Sequence, residues 1–239
     1  MYAYRSTCGP ADLAFTDRYG GVSAPPYDEL NLSLSGADDD ADKAENHRRL
    51  LADFAPDDVL CDLHQVHGAD VALAAEEWPE RPKADGVVST QAGVVLMVRA
   101  ADCAPVLLVA PDERIVGAAH SGRPGLVAGV VPATVARMRE LGANRIEGWI
   151  GPHVCGRCYE VPDQMRADVA AVVPASYAET SWRTPSVDLG AGIRAQLDAL
   201  DVVVHDASRC TRESEDLYSY RRDGDRAGRL AGLVRLRAQ

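Results

Sequence analysis

The chain has 239 residues, 46% hydrophobic and 26% charged, which is enough apolar side chain for a sizeable core and sets it apart from disordered sequences. Its formal charge of -11 opposes binding to nucleic acid or to an anionic membrane, both of which depend on an excess of Lys and Arg. The length is within reach of one large α/β domain and nothing resembles a linker, so the reading is a single domain over residues 1–239 with a small-molecule ligand.

Along the chain, Met1-Tyr2-Ala3-Tyr4-Arg5 lacks the basic start and apolar run of a signal peptide, which predicts a cytoplasmic protein with reduced cysteines. Asp38, Asp40 and Asp42 imitate the start of a calcium loop. The imitation fails at the sixth position, Lys43 in place of Gly, and at the twelfth, Arg49 in place of Glu. The segment is better read as an acidic turn opening a helix through Glu45 to Phe54. Strand-like runs follow at 69–74, 86–89, 94–99, 105–110, 114–119, 145–150, 202–205 and 229–236. The apolar region 93–111 is broken by Arg99 and Asp102, so it reads as two strands flanking a turn and not as a membrane span. Helical stripes cover 125–141, where Pro132 kinks the helix or moves its start, and also 162–173 and 189–200. Strands at 94 and 114 with no helix between them predict mixed sheets, in the α/β or α+β class.

Three segments carry the chemistry: His64-Gln65-Val66-His67-Gly68, Ala101-Asp102-Cys103-Ala104-Pro105 and Ala119-His120-Ser121-Gly122. Two imidazoles and a thiolate, from His67, His120 and Cys103, match the ligand set of a catalytic zinc, which keeps a fourth position open. Cys103 and His120 fall at the ends of apolar runs, where strand ends hold ligands rigidly. Asp85 and Asp102 read either as proton carriers or as residues that orient a histidine. His64 diverges from His67 in a strand or turn and is not counted as a ligand. Cys155-Gly156-Arg157-Cys158 has the spacing of a redox or zinc-binding pair, for which His153 and Cys210 are the plausible further donors. Cys8 and Cys61 have no partner motif. Near the C-terminus, Arg221, Arg222, Arg226, Arg229, Arg235 and Arg237 form either a solvated face or a site for an anionic substrate.

Taken together, these segments resemble the YfiH-like, laccase-domain family over almost the whole chain. The resemblance rests on Gly20-Gly21-Val22-Ser23, Leu30-Asn31-Leu32, Gln65-Val66-His67-Gly68, Ala84-Asp85-Gly86, Ala101-Asp102-Cys103-Ala104-Pro105, Ala119-His120-Ser121-Gly122, Cys158-Tyr159-Glu160-Val161 and Tyr218-Ser219-Tyr220-Arg221-Arg222-Asp223-Gly224. It implies a four-layer α/β/β/α sandwich with mixed sheets and a zinc ion on His67, Cys103 and His120, with copper the other metal. It further implies phosphorolysis of adenosine, inosine and methylthioadenosine, together with deamination of adenosine. The family's older description as a copper polyphenol oxidase is the alternative, although a multicopper site needs several His-rich motifs and six scattered histidines do not supply them. A zinc hydrolase or regulatory protein acting on cell-wall precursors is a third reading.

One departure bears on phosphate. The family commonly continues its third motif as His-Ala-Gly-Trp-Arg-Gly, whereas this chain reads His120-Ser121-Gly122-Arg123-Pro124-Gly125. Arg123 takes over from the family Arg only if the turn is re-aimed. Arg18, Arg221 and Arg222 are the other cations to consider, and Asn31 joins them as a substrate-binding candidate. Oligomeric state is not legible in the sequence.

Overall fold

The computed structural model describes residues 1–74 and 80–238. The chain opens with a hairpin of β1 (Tyr2–Cys8) and β2 (Ala11–Thr16), then passes through a long loop into α1 (Asp40–Phe54). Next come β3 (Val59–Asp62), β4 (Val71–Leu73), β5 (Gly86–Ser89), β6 (Val94–Ala100), β7 (Ala104–Ala110) and β8 (Ile115–Ser121). Two helices, α2 (Arg123–Ala128) and α3 (Val130–Glu140), precede β9 (Glu147–Ile150) and α4 (Asp163–Val172). The chain closes with β10 (Tyr177–Glu179), β11 (Pro185–Val187), α5 (Leu189–Asp198), β12 (Val203–Asp206), α6 (Tyr220–Asp223) and β13 (Leu230–Leu236).

These strands build two mixed sheets, in the orders β1-β2-β13-β6-β3 and β12-β9-β7-β8-β5-β4, with β10 and β11 as a separate pair. In the first, β3 runs parallel to β6 while the other neighbours are antiparallel. In the second, β12 with β9 and β4 with β5 are the parallel pairs. One apolar cluster, including Phe15, Leu96, Val98, Leu107, Val116 and Val234, lies between the two sheets. A second joins the outer face of the six-stranded sheet to α2 through α5. A third packs Leu50 and Phe54 of α1 against the five-stranded sheet. The outcome is the four-layer sandwich that the family resemblance implies.

The central strands β6, β7 and β8 are buried along their whole length, which is why they read as unbroken apolar runs. Each fully buried Leu or Val there contributes about 1.5–3 kcal/mol relative to exposure. Between β6 and β7 the chain crosses from one sheet to the other, and the crossing turn, residues 101–103, carries Cys103. The turn is therefore anchored at both ends in fully buried strands.

The acidic segment does open a helix: Asp39 caps α1 by accepting from the Ala41 and Asp42 amides, with Asp40 and Asp42 in the first turn. The stripe over 125–141 is two helices. The break falls at Gly129, whose φ of +81° is the left-handed backbone that ends α2, and Pro132 then sits in the first turn of α3, where its missing N–H costs nothing. Pro132 thus marks a helix start and not a kink. Strands β1, β2, β3, β10 and β11 lie outside the strand positions expected from the sequence.

Candidate metal centre and substrate pocket

His67, Cys103 and His120 come together at the junction of the sheets, with one donor atom of each within 4.8 Å of the others. His120 is the sixth residue of β8 and is 3% exposed, so its position is fixed by the sheet. Cys103 is placed by the turn leaving β6. His67 comes from the loop after β3 and has φ of +60°, a backbone state costing of order 1 kcal/mol for a non-glycine residue.

Asp85 is what holds that loop. Its Oδ2 accepts from the amides on either side of His67, Val66 at 3.0 Å and Gly68 at 2.7 Å. Its Oδ1 meets His120 Nδ1 at 2.8 Å, and its backbone carbonyl accepts from the His120 amide. The side chain is fully buried, and although burial alone raises its pKa, the bonds from His120, Gly68 and Val66 hold the carboxyl below its ordinary value. With His120 Nδ1–H donating to Asp85, Nε2 is left for a metal. Gln65 completes the brace by pairing both ways with the Arg99 backbone at 2.8 Å.

The donor set suits a metal. A Cβ at Gly122 would lie 2.6 Å from Cys103 Sγ and 3.0 Å from His67 Nδ1, so glycine keeps the space beside the donors clear. Burial raises the Cys103 thiol, but the charges and hydrogen bonds of His120 and His67 outweigh it and bring the pKa down to about 6. Burial likewise opposes charge on His120, yet Cys103 and Asp85 raise it to about 9. In the metal-free site the two therefore stand as thiolate and imidazolium between these values.

A consequence for pH follows. From about pH 7 to about 9 a metal must displace the His120 proton, so affinity should rise about tenfold per pH unit and flatten above about 9. Chelator competition, taken as the difference between the natural chain and Cys103→Ala, reads this site alone. A profile flat from pH 7 to 9 would mean that His120 is already neutral. Asp85→Asn should weaken the metal about 10–100-fold, because an amide cannot accept at both oxygens from Nδ1–H and two backbone amides. Metal content after dialysis measures it, and full retention would deny Asp85 its orienting role.

The three donors line a pocket of about 920 Å³ together with Asp102, Arg99, Tyr159, Tyr220, Arg221 and Arg229, among others. Asp102, at φ +88°, accepts from Thr211 Oγ1 at 2.6 Å and from the Arg221 amide at 2.6 Å, so both oxygens position the turn and the start of α6. The Arg221 guanidinium lies over the Tyr159 ring, 4.7 Å from its centroid, with no acceptor for its N–H donors among the described residues. Arg229 gives one nitrogen to the carbonyls of Ala227 and Gly228. Arg99 gives Nε to the Leu32 carbonyl and Nη2 to Asp62 and His47, while its buried Nη1 has no partner among the described residues.

Arg18, Asn31, Arg123 and Arg222 lie outside the pocket lining. Arg18 pairs with Asp28 and covers the Tyr218 ring. Asn31 is buried, with its amide on Asp38 and its carbonyl accepting from Ser33 and Arg229. Arg222 spends its donors on Asp223 and on the carbonyls of Thr211, Ser214 and Leu217. Arg123 begins α2, outside the pocket lining. His64 lines the pocket without joining the metal donors. Reasoning from sequence does not single out Tyr159, Tyr220 or Arg99 as pocket residues. Tyr159 and Tyr220 sit inside the family-like motifs, which is the signal that could have found them.

Fold and site thus define a mixed α/β protein with a His, Cys and His donor group in a pocket. The profile of the family described as multi-copper polyphenol oxidoreductase laccase matches residues 12–237. A purine nucleoside phosphorylase of Streptomyces coelicolor is 52% identical over 242 residues, covering 98% of this chain and 99% of its own. Purine nucleoside phosphorylase YfiH of Escherichia coli K12 is 36% identical, with 91% and 90% covered. The crystal structure of NMB0706 from Neisseria meningitidis superposes with a TM-score of 0.89 at 28% identity, covering 98% and 99%. The chain belongs to this YfiH-like, laccase-domain family.

Proposed function

We propose that the chain is a zinc-dependent purine nucleoside phosphorylase of the cytoplasm, converting adenosine, inosine and methylthioadenosine with phosphate to the free base and the corresponding ribose 1-phosphate. The observation that carries the reading is one pocket holding both the three metal donors and an uncommitted guanidinium, that of Arg221. The names of the relatives support it.

In phosphorolysis a phosphate oxygen attacks C1′ of the ribose, and the bond from C1′ to the purine nitrogen breaks with its electron pair going to the base, which takes up a proton. His67, Cys103 and His120 would hold the zinc. When bound, it would supply a Lewis acid, the chemistry that activates water for a second activity, deamination at the purine C6. Arg221 holds the phosphate, aided by the remaining donors of Arg229, since cationic donors of fixed orientation are what a phosphate needs. Tyr159 keeps Arg221 in place from below, and Asp102 fixes its backbone. Asp85 orients His120 and the His67 loop, a role in which its carboxylate is fully occupied. Tyr220, half exposed, offers a face for stacking the purine. Arg18, Asn31 and Arg222 serve the frame around this site.

The copper oxidase reading fares worse on the placement of the histidines. His47 bonds Arg99, His153 bonds the Gly151 carbonyl, and His205 bonds Glu147 and stacks on Trp149, so none of the three joins a His-rich cluster. Phosphorus NMR of inosine, phosphate and zinc-loaded protein tests the proposal: a ribose 1-phosphate signal supports it, and inorganic phosphate left unconsumed while hypoxanthine accumulates would replace it with simple hydrolysis.

A further inference from the structure

A second donor group falls outside this chemistry and outside the pocket lining. Cys155, Cys158, Cys210 and Glu213 place one ligand atom each within 4.8 Å of one another. All three cysteines are free thiols. The four residues come as two pairs with identical spacing, Cys-x-x-Cys and Cys-x-x-Glu, each on a tight turn. The first turn is closed by the Cys158 amide donating to the Cys155 carbonyl at 2.9 Å, the second by the Ser214 amide donating to the Cys210 carbonyl at 3.0 Å. The turns are tied together by a parallel bridge of His153 with Cys210, through the His153 amide to the Arg209 carbonyl and the Thr211 amide to the His153 carbonyl.

We propose that Cys155, Cys158, Cys210 and Glu213 form a second, structural zinc site, four-coordinate and closed, distinct from the site in the pocket. Three thiolates and a carboxylate are an allowed tetrahedral set for zinc, and two short turns facing each other are how structural zinc sites are built. Cys158 is 5% exposed and Cys155 and Cys210 are half-buried, so water is largely excluded while Glu213 at the surface leaves an entry path. Glu213 has one competing partner, Arg157 at 3.8 Å, but both side chains are at least half exposed and such a pair is weak. His153, the other donor considered from the sequence, is not in the group, because its ring is turned to the Gly151 carbonyl.

The site staples two loops that serve the pocket. Tyr159, the residue after Cys158, carries the Arg221 guanidinium, and Thr211, the residue after Cys210, bonds Asp102 beside Cys103. The proposal does not depend on the reaction proposed above and is tested without activity. Protein prepared under reducing conditions and saturated with zinc should hold about two ions per chain, and Cys103→Ala and Cys210→Ser about one each. Cobalt in Cys103→Ala should show the strong sulfur-to-metal absorption of a tetrahedral site with three thiolates, and Glu213→Gln, a change at an exposed side chain, should weaken that ion at least about tenfold without unfolding. One ion in the natural chain and none in Cys103→Ala would overturn the proposal, as would a second ion that survives Cys210→Ser. A mass deficit showing a disulfide among these cysteines after reducing preparation would overturn it in favour of a redox pair.

Discussion

Cys103→Ala is expected to empty the pocket of its metal and to lower kcat/KM for every nucleoside substrate about 10³-fold or more. Such a loss corresponds to about 4 kcal/mol of transition-state stabilisation, the scale on which a Lewis acid acts. The fold should survive. Cys103 lies in a turn whose backbone is held independently by the Asp102 carboxylate and by the Val154 amide donating to the Asp102 carbonyl, and His120 keeps its partner Asp85. A loss of roughly 1–2 kcal/mol in stability is the expected structural cost of removing one partly buried sulfur. Metal content, melting temperature and kinetics on one preparation separate the effects. Full activity with the metal gone would remove the metal from the mechanism.

Arg221→Ala is expected to raise KM for phosphate about 10–100-fold, the worth of one or two hydrogen bonds to a charged group. The effect should be specific to phosphate, because Arg221 meets the rest of the protein through its amide to Asp102, which Ala preserves, and through the ring of Tyr159. The proposed deamination of adenosine, which uses no phosphate, should stay within about threefold of the natural chain, and Arg221→Lys should recover part of the phosphate affinity but not the flat, forked geometry. An equal loss in both reactions would assign Arg221 to substrate or to the frame, and the anion site would then move to Arg229.

Much of the fold, and the meeting of His67, Cys103 and His120, is legible in the amino-acid sequence. The runs that form β6, β7 and β8 are buried on both faces, so they show as unbroken apolar segments with polar residues only where the site begins. Cys103 and His120 are legible for the same reason, as polar residues at the ends of such runs. The hairpin of β1 and β2 is not, because β1 is only partly buried and mixes Arg5, Ser6 and Thr7 with tyrosines, which blurs the alternation. The split at Gly129 is hidden by an apolar stripe that continues through both helices, and only the left-handed backbone there decides it.

The arginines show a deeper limit. Arg221 and Arg222 are neighbours of the same type, yet the turn into α6 sends one toward the pocket and the other back onto three carbonyls. No periodicity distinguishes them. Glu213 is likewise invisible as a donor, because its partners Cys155 and Cys158 are more than fifty positions away and the bridge at Cys210 brings them together only in the folded state.

Metal donors and phosphate cation are expected to serve one reaction on a purine nucleoside. The most direct measurement is a mass-spectrometric product balance from adenosine and zinc-loaded protein, with and without phosphate. The account predicts adenine and ribose 1-phosphate in equal amounts only when phosphate is present, with inosine formed in either case. Adenosine recovered intact under both conditions, from protein that demonstrably holds its metal in the pocket, would contradict it.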